Sequence, residues 1–145
     1  MYTHILVPTD GSPLSGTAVE RSMALARDLN AKVTVLAVVE PIAIFPTEAD
    51  PSNAMRTEYE RRASEQAARH LAEAELKAKA LGVLCEVVQV KSDRPYRAII
   101  DTAAQKHCDL IAMASHGRGG VAALVLGSET TKVLTHSKLP VLVYR

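Results

Sequence analysis

Short apolar runs alternate with longer amphipathic segments along the whole of this 145-residue chain. Runs of that length are strands, and segments of that length between them are helices that must each cover a sheet face. The runs lie at 4–7, 32–39, 84–90, 109–113 and 140–144. Five strands in strict alternation with helices imply right-handed crossovers and an open parallel sheet, since five are too few to close an eight-stranded barrel. The length and the 48% apolar content suit one domain over 1–145.

The helices carry their own punctuation. Gly11-Ser12-Pro13 supplies a turn, an N-cap hydroxyl and a proline at the first helical position, after which Leu14, Ala18, Leu25 and Leu29 are expected on one face. In the second helix Met55, Tyr59, Ala63, Ala67, Leu71, Ala74, Ala78 and Leu81 recur at steps of three or four, and Gly82 stops it. A third begins near Pro95 and presents Ile99, Ile100, Ala103 and Ala104, with Lys106 and His107 at its end. The stretch EPIAIFPTEADPSN, residues 40–53, holds three prolines and no period. It reads as a surface excursion whose Ile42, Ile44 and Phe45 fold back on the domain edge, the alternatives being a ligand lid or a partner contact.

Composition removes several function classes. Seventeen Lys and Arg against sixteen Asp and Glu create no field for nucleic acid or an anionic membrane. The N-terminal apolar run stops at Pro8, too short for a signal peptide, and no segment approaches a membrane span. Cys85 and Cys108 lack zinc-site spacing and read as reduced, buried thiols of a cytoplasmic protein. No two of the five histidines are spaced to share a metal on one helix face, and only His116 sits where chemistry is expected.

In an open parallel sheet, ligands bind beyond the carboxyl ends of the strands where the strand order reverses. An order of 3-2-1-4-5 would put the loops after strands one and four there. These loops are Thr9-Asp10-Gly11-Ser12 and Ala114-Ser115-His116-Gly117, the two most polar glycine-bearing turns. The second continues through Arg118, Gly119 and Gly120. It fails the P-loop grammar, because no lysine lies between Lys106 and Lys132. Gly117-x-Gly119-x-x-Ala122 fits the dinucleotide fingerprint, but strand five ends without the acidic residue that would hold a ribose, and no residues remain for a substrate domain. What remains is a glycine-rich loop whose amides converge through positive φ, followed by a helix with Ser128 as N-cap and Val133 and Leu134 inward. Together they make two anion seats able to grip a polyphosphate.

Here the sequence resembles the universal stress protein family over essentially its whole length. Nucleotide-binding members carry G-x2-G-x9-G-[ST]. In this chain Gly117, the nine residues 118–126 and Gly127-Ser128 match, while Ala114 stands at the first glycine. Val7-Pro8-Thr9-Asp10-Gly11-Ser12, Ser115-His116-Gly117 and Pro140-Val141-Leu142-Val143 are similar as well. The resemblance implies an α/β fold: an open five-stranded parallel sheet of order 3-2-1-4-5 with helices on both faces, Rossmann-like and similar to the adenine nucleotide alpha hydrolases. It also implies bound ATP or AMP, with or without Mg2+. Pro8, Thr9 and Asp10 would line the adenosine side, Asp10 near the ribose or a phosphate-bound Mg2+, and the Val38 backbone would meet the adenine edge. Met113, Ala114, Ser115 and His116 would form the strand-four rim, and Gly117, Arg118, Gly119, Gly120, Gly127, Ser128, Glu129 and Thr130 would surround the phosphates.

One methyl added at Ala114 is expected to weaken or alter binding before abolishing it. Catalysis would be limited to slow ATP hydrolysis, since Ser115 and His116 are neighbours and adjacent strand residues point opposite ways. The expected protein is a regulatory homodimer joined through strand five, where Val141 and Val143 alternate at a sheet edge. The alternative is a nucleotide-free module of the same fold that recruits a client protein through the loop around Phe45.

Overall fold

A computed structural model of the chain describes residues 1–42, 53–117 and 126–145. Ile44, Phe45, Arg118, Gly119, Gly120 and Ala122, named above, lie outside the described residues. Nine elements follow in order: β1 (His4–Thr9), α1 (Pro13–Leu29), β2 (Lys32–Val39), α2 (Asn53–Leu81), β3 (Cys85–Lys91), α3 (Pro95–Gln105), β4 (Leu110–Ala114), α4 (Ser128–His136) and β5 (Val141–Tyr144). All strand pairings are parallel, and the order is β3-β2-β1-β4-β5, as the resemblance implied.

Period-two alternation divides the strand side chains between two cores. Ile5, Val7, Val33, Val35, Leu110 and Ala112 pack beneath α1 and α2. Leu6, Leu36, Ile111 and Met113 pack with Ile99 and Ala103 of α3 and Val133 of α4. Both crossovers on one side of β1 therefore use one face of the sheet, and both on the β4 side use the other. The reversal falls between β1 and β4.

Helix faces differ in detail from their expected ones. In α1 the buried stripe is Ser15, Ala18, Val19, Ser22, Met23 and Ala26, with Leu14, Leu25 and Leu29 half-buried at its margin. Apart from Val19 and Met23, the inner face that α1 lays on the sheet is made of Ala and Ser. In α3, Ala98, Ile99, Thr102 and Ala103 are buried, while Ala104 is exposed and Ile100 half-buried. Lys106 and His107 fall just beyond α3, and the Lys106 ammonium is turned 2.5 Å from the Glu86 carboxylate. In α4, Val133 is fully buried but Leu134 is 42% exposed. The α2 stripe of Ala67, Leu71, Ala74 and Ala78 is buried as expected, whereas Met55 and Tyr59 in its first turns are exposed. Gly82 ends α2 at φ +69°.

At the amino ends of the strands, Asp109 precedes β4 instead of opening it. Its carboxylate accepts from the backbone N–H groups of Thr3 and His4 and from the Thr3 hydroxyl, at 2.8, 3.0 and 3.1 Å. Burial pushes the Asp109 pKa up, but those hydrogen bonds outweigh it and hold the carboxyl below its ordinary value. The buried His4 imidazole has its Nε2 2.7 Å from Thr34 Oγ1. Burial, with the nearby Lys32 charge, lowers its pKa. Cys85 and Cys108 are unpaired thiols, each pushed up to about 11 chiefly by burial, so neither is a ready nucleophile.

Candidate functional site

Beyond the carboxyl ends of β1, β2 and β4 lies a cleft of about 580 Å3. Its floor is Pro8 and Thr9 of β1, Val38 of β2, and Met113 and Ala114 of β4. Asp10, His116 and Gly117 stand at one rim, with Ser128, Glu129 and Thr130 of α4 behind them.

The β1–α1 turn is built by its own side chains. Asp10 Oδ1 accepts from the Ser12 N–H at 2.9 Å, forming an Asx turn. Ser12 caps α1 by accepting from the Ser15 N–H at 3.3 Å, with Pro13 at the first helical position. Thr9 Oγ1 lies 3.1 Å from Ser15 Oγ and accepts from the Gly11 N–H at 3.3 Å, fixing the end of β1 to the first turn of α1. Gly11 has φ +78°, a region that favours glycine.

Two glycines of the loop motif sit at close approaches. Gly117 is not in the left-handed region, contrary to the positive φ expected of it; a β-carbon there would meet the Asp10 carboxylate. Gly127 has φ −61° and ψ 155°, and a β-carbon on it would stand 3.1 Å from His116 Cα and 3.3 Å from the Ser115 carbonyl oxygen. Its N–H donates to that same oxygen at 2.7 Å. The motif therefore marks two close approaches, one of the β4 loop to β1 and one of the α4 entrance to the β4 loop.

Ser128 is not the N-cap. Gly127 occupies that position without a side-chain cap, and α4 begins at Ser128. The Gly127 N–H bonds to the Ser115 carbonyl, and the helix starts at Ser128, one residue earlier than expected. Thr130 Oγ1 reaches back to the Ala114 carbonyl at 2.9 Å, a buried bond that fixes α4 to the end of β4. Ser128, Glu129 and Thr130 of the first turn of α4 line the cleft, and the open N–H groups of a helix start suit an anionic ligand group.

Ser115 and Gly127 are not on the cleft wall. Ser115 is buried, donates its N–H to the Tyr144 carbonyl at 2.7 Å and has its hydroxyl 3.2 Å from His116 Nδ1. The strand alternation that would separate those two side chains has already ended at Ala114. This Ser–His contact lies behind the wall, so it supports the loop and presents no nucleophile to the cleft.

An α2 wall escaped the sequence reading. Tyr59, Ala63, Gln66, Ala67 and His70 form it, and Pro95 and Ile99 of α3 close the other side. The His70 ring rests on Gly11, where a β-carbon would enter it. The available signal was position: Gln66 and His70 flank the inward Ala67 midway along α2. The described lining contains three carboxylates, Asp10, Glu40 and Glu129, and no Lys or Arg. Among the described residues no cluster of His, Cys, Asp and Glu could hold a metal ion by itself, and no helix is long and apolar enough to cross a membrane.

A model of the universal stress protein family matches residues 1–145. A universal stress protein of Thermus aquaticus is 32% identical over 146 residues, with both chains fully covered. Another, from Methanocaldococcus jannaschii, is 28% identical over 145 residues, covering all of this chain and 83% of its own. Among solved structures, UspA of Lactobacillus plantarum superposes with a TM-score of 0.86 at 26% identity, covering 99% of this chain and 98% of that one. A universal stress protein in complex with cAMP superposes with a TM-score of 0.73 at 28% identity, covering 99% and 97%. Agreement of the family model along the whole sequence, joined by the fully covered Thermus relative, establishes that this chain belongs to the universal stress protein family.

Proposed function

We propose that the cleft binds an adenine nucleotide and that the protein is a cytoplasmic regulator of stress responses, not a dedicated enzyme. The observation that carries this reading is the convergence, on one cleft, of the Pro8–Asp10 strand end, the Ala114–Gly117 turn and the first turn of α4. Apolar Val38, Ile99 and Met113 give a flat base something to lie against, while Asp10 offers acceptors to ribose hydroxyls. Backbone N–H groups of α4 face the phosphate end. A relative of the same fold and 28% identity is known in complex with cAMP, which supports adenine as the base.

Mg2+ would enter with the nucleotide, with Asp10 as the nearest carboxylate of the β1 turn. Hydrolysis, if the nucleotide is a triphosphate, would be slow, because no described side chain of the cleft is paired as a base with an oriented nucleophile. The active form is a homodimer joined through β5, which lies at the sheet edge with Leu142 outward. The test of binding is calorimetric titration of nucleotide-stripped protein with cAMP, AMP, ATP and NAD. Saturable heat with the adenine mononucleotides supports the reading. Silence with all of them favours the nucleotide-free module.

A further inference from the structure

Resting on that reading, the geometry points to Glu129 as the residue that sets the ligand class: it selects adenine nucleotides of low charge, the monophosphate or cyclic monophosphate, against the triphosphate. Glu129 lines the cleft from the first turn of α4. Its Oε2 accepts from the Tyr96 N–H at 2.8 Å, at the second residue of α3, and its Oε1 lies 3.3 Å from Lys132 Nζ. One carboxylate thus sits in the positive field at the amino ends of both α3 and α4, where a phosphate chain would otherwise be drawn.

Charge makes the consequence graded. Lys132 is half-exposed and tied to Glu129, so it offsets that carboxylate only in part. The described lining adds Asp10 and Glu40, so a phosphoryl group that approaches Glu129 brings negative charge toward like charge. A monoester or cyclic phosphate would stop at the backbone N–H groups after Gly127, whereas a triphosphate that follows the first turn of α4 would extend past Glu129 or displace it from Tyr96. Displacement would leave the Tyr96 N–H without its acceptor.

The experiment measures affinities of cAMP, AMP and ATP calorimetrically, without Mg2+, for the wild type, Glu129→Gln and Lys132→Gln. Glutamine keeps an acceptor for the Tyr96 N–H and removes the charge; thermal melts check that each variant is folded. Wild type should bind AMP at least about tenfold tighter than ATP. Glu129→Gln should bring the two within about threefold, and Lys132→Gln should widen the gap. A wild type that binds ATP as tightly as AMP, or a folded Glu129→Gln variant with an unchanged ratio, overturns the assignment and leaves nucleotide binding standing. No heat from any nucleotide overturns both.

Discussion

The imidazole of His70 lies directly on the α-carbon of Gly11, so that a β-carbon there would enter the ring edge carrying both nitrogens. Helix α2 is thereby pressed onto the turn that carries Asp10, and Asp10 in turn occupies the space a β-carbon on Gly117 would need. Three elements distant in sequence meet at these two glycines.

Gly11→Ala incurs two costs, the left-handed backbone at φ +78° and the clash with His70. Together these should remove roughly 2 to 4 kcal/mol of stability. Adding His70→Ala should relieve the clash and leave a backbone cost of about 1 kcal/mol. Denaturant melts of both single variants and the double variant check this; additive losses would show that the two residues do not interact.

Gly117→Ala should act on binding more than on stability, because the backbone there accepts alanine and the obstacle is the Asp10 carboxylate. The expected loss is about tenfold in AMP affinity, with less than about 1 kcal/mol in stability. An Asp10→Gly background should blunt the effect of Gly117→Ala. An undiminished effect would mean that the loop glycine serves something other than room for Asp10.

Acid should destabilise the protein through His4. Its folded-state pKa is lowered below the ordinary 6.5 by burial first and Lys32 second, so the unfolded chain binds the proton more readily. Stability is then retained above about 6.5 and lost as pH falls from there toward the folded-state value. Asp109, also lowered, adds a second loss as pH falls through and below 3.8. Chemical denaturation across this range should show a steeper decline in wild type than in His4→Gln. Parallel profiles would place the titrating group elsewhere.

Leu142 is the outward residue of the edge strand β5. On the proposed homodimer through β5, Leu142→Asp should yield a folded monomer at micromolar concentration where the wild type sediments as a dimer, since a charge on an edge strand blocks strand-to-strand association. A variant that still sediments as a dimer would move the interface away from β5.

The sheet was legible because its residues repeat: five short, mostly apolar runs read as parallel strands, and all five lie within two residues of their expected bounds. Helix α2 was legible from Ala67, Leu71, Ala74 and Ala78, while the faces of α1 and α3 were misjudged where leucine or isoleucine outweighed alanine. Hydrophobicity ranks side chains, but a helix lying close to a sheet selects them by size. At the cleft floor Thr9 and Ala114 followed from topology, and Pro8, Val38 and Met113 from the family resemblance. The wall from α2 did not, because Gln66 and His70 look like any polar residues beside an apolar stripe until the helix is docked. Gly117 was recognised as special for the wrong reason, since spacing along a chain does not distinguish a glycine needed for its φ from one whose side chain would crowd a neighbour.

The central claim is that this cleft holds an adenine nucleotide. Its most direct test is calorimetric titration of the stripped wild-type protein with AMP and cAMP beside Gly117→Ala. Saturable binding to the wild type, weakened about tenfold in the variant, is the predicted result. The absence of binding by a folded wild-type protein, or equal binding by both proteins, would contradict it.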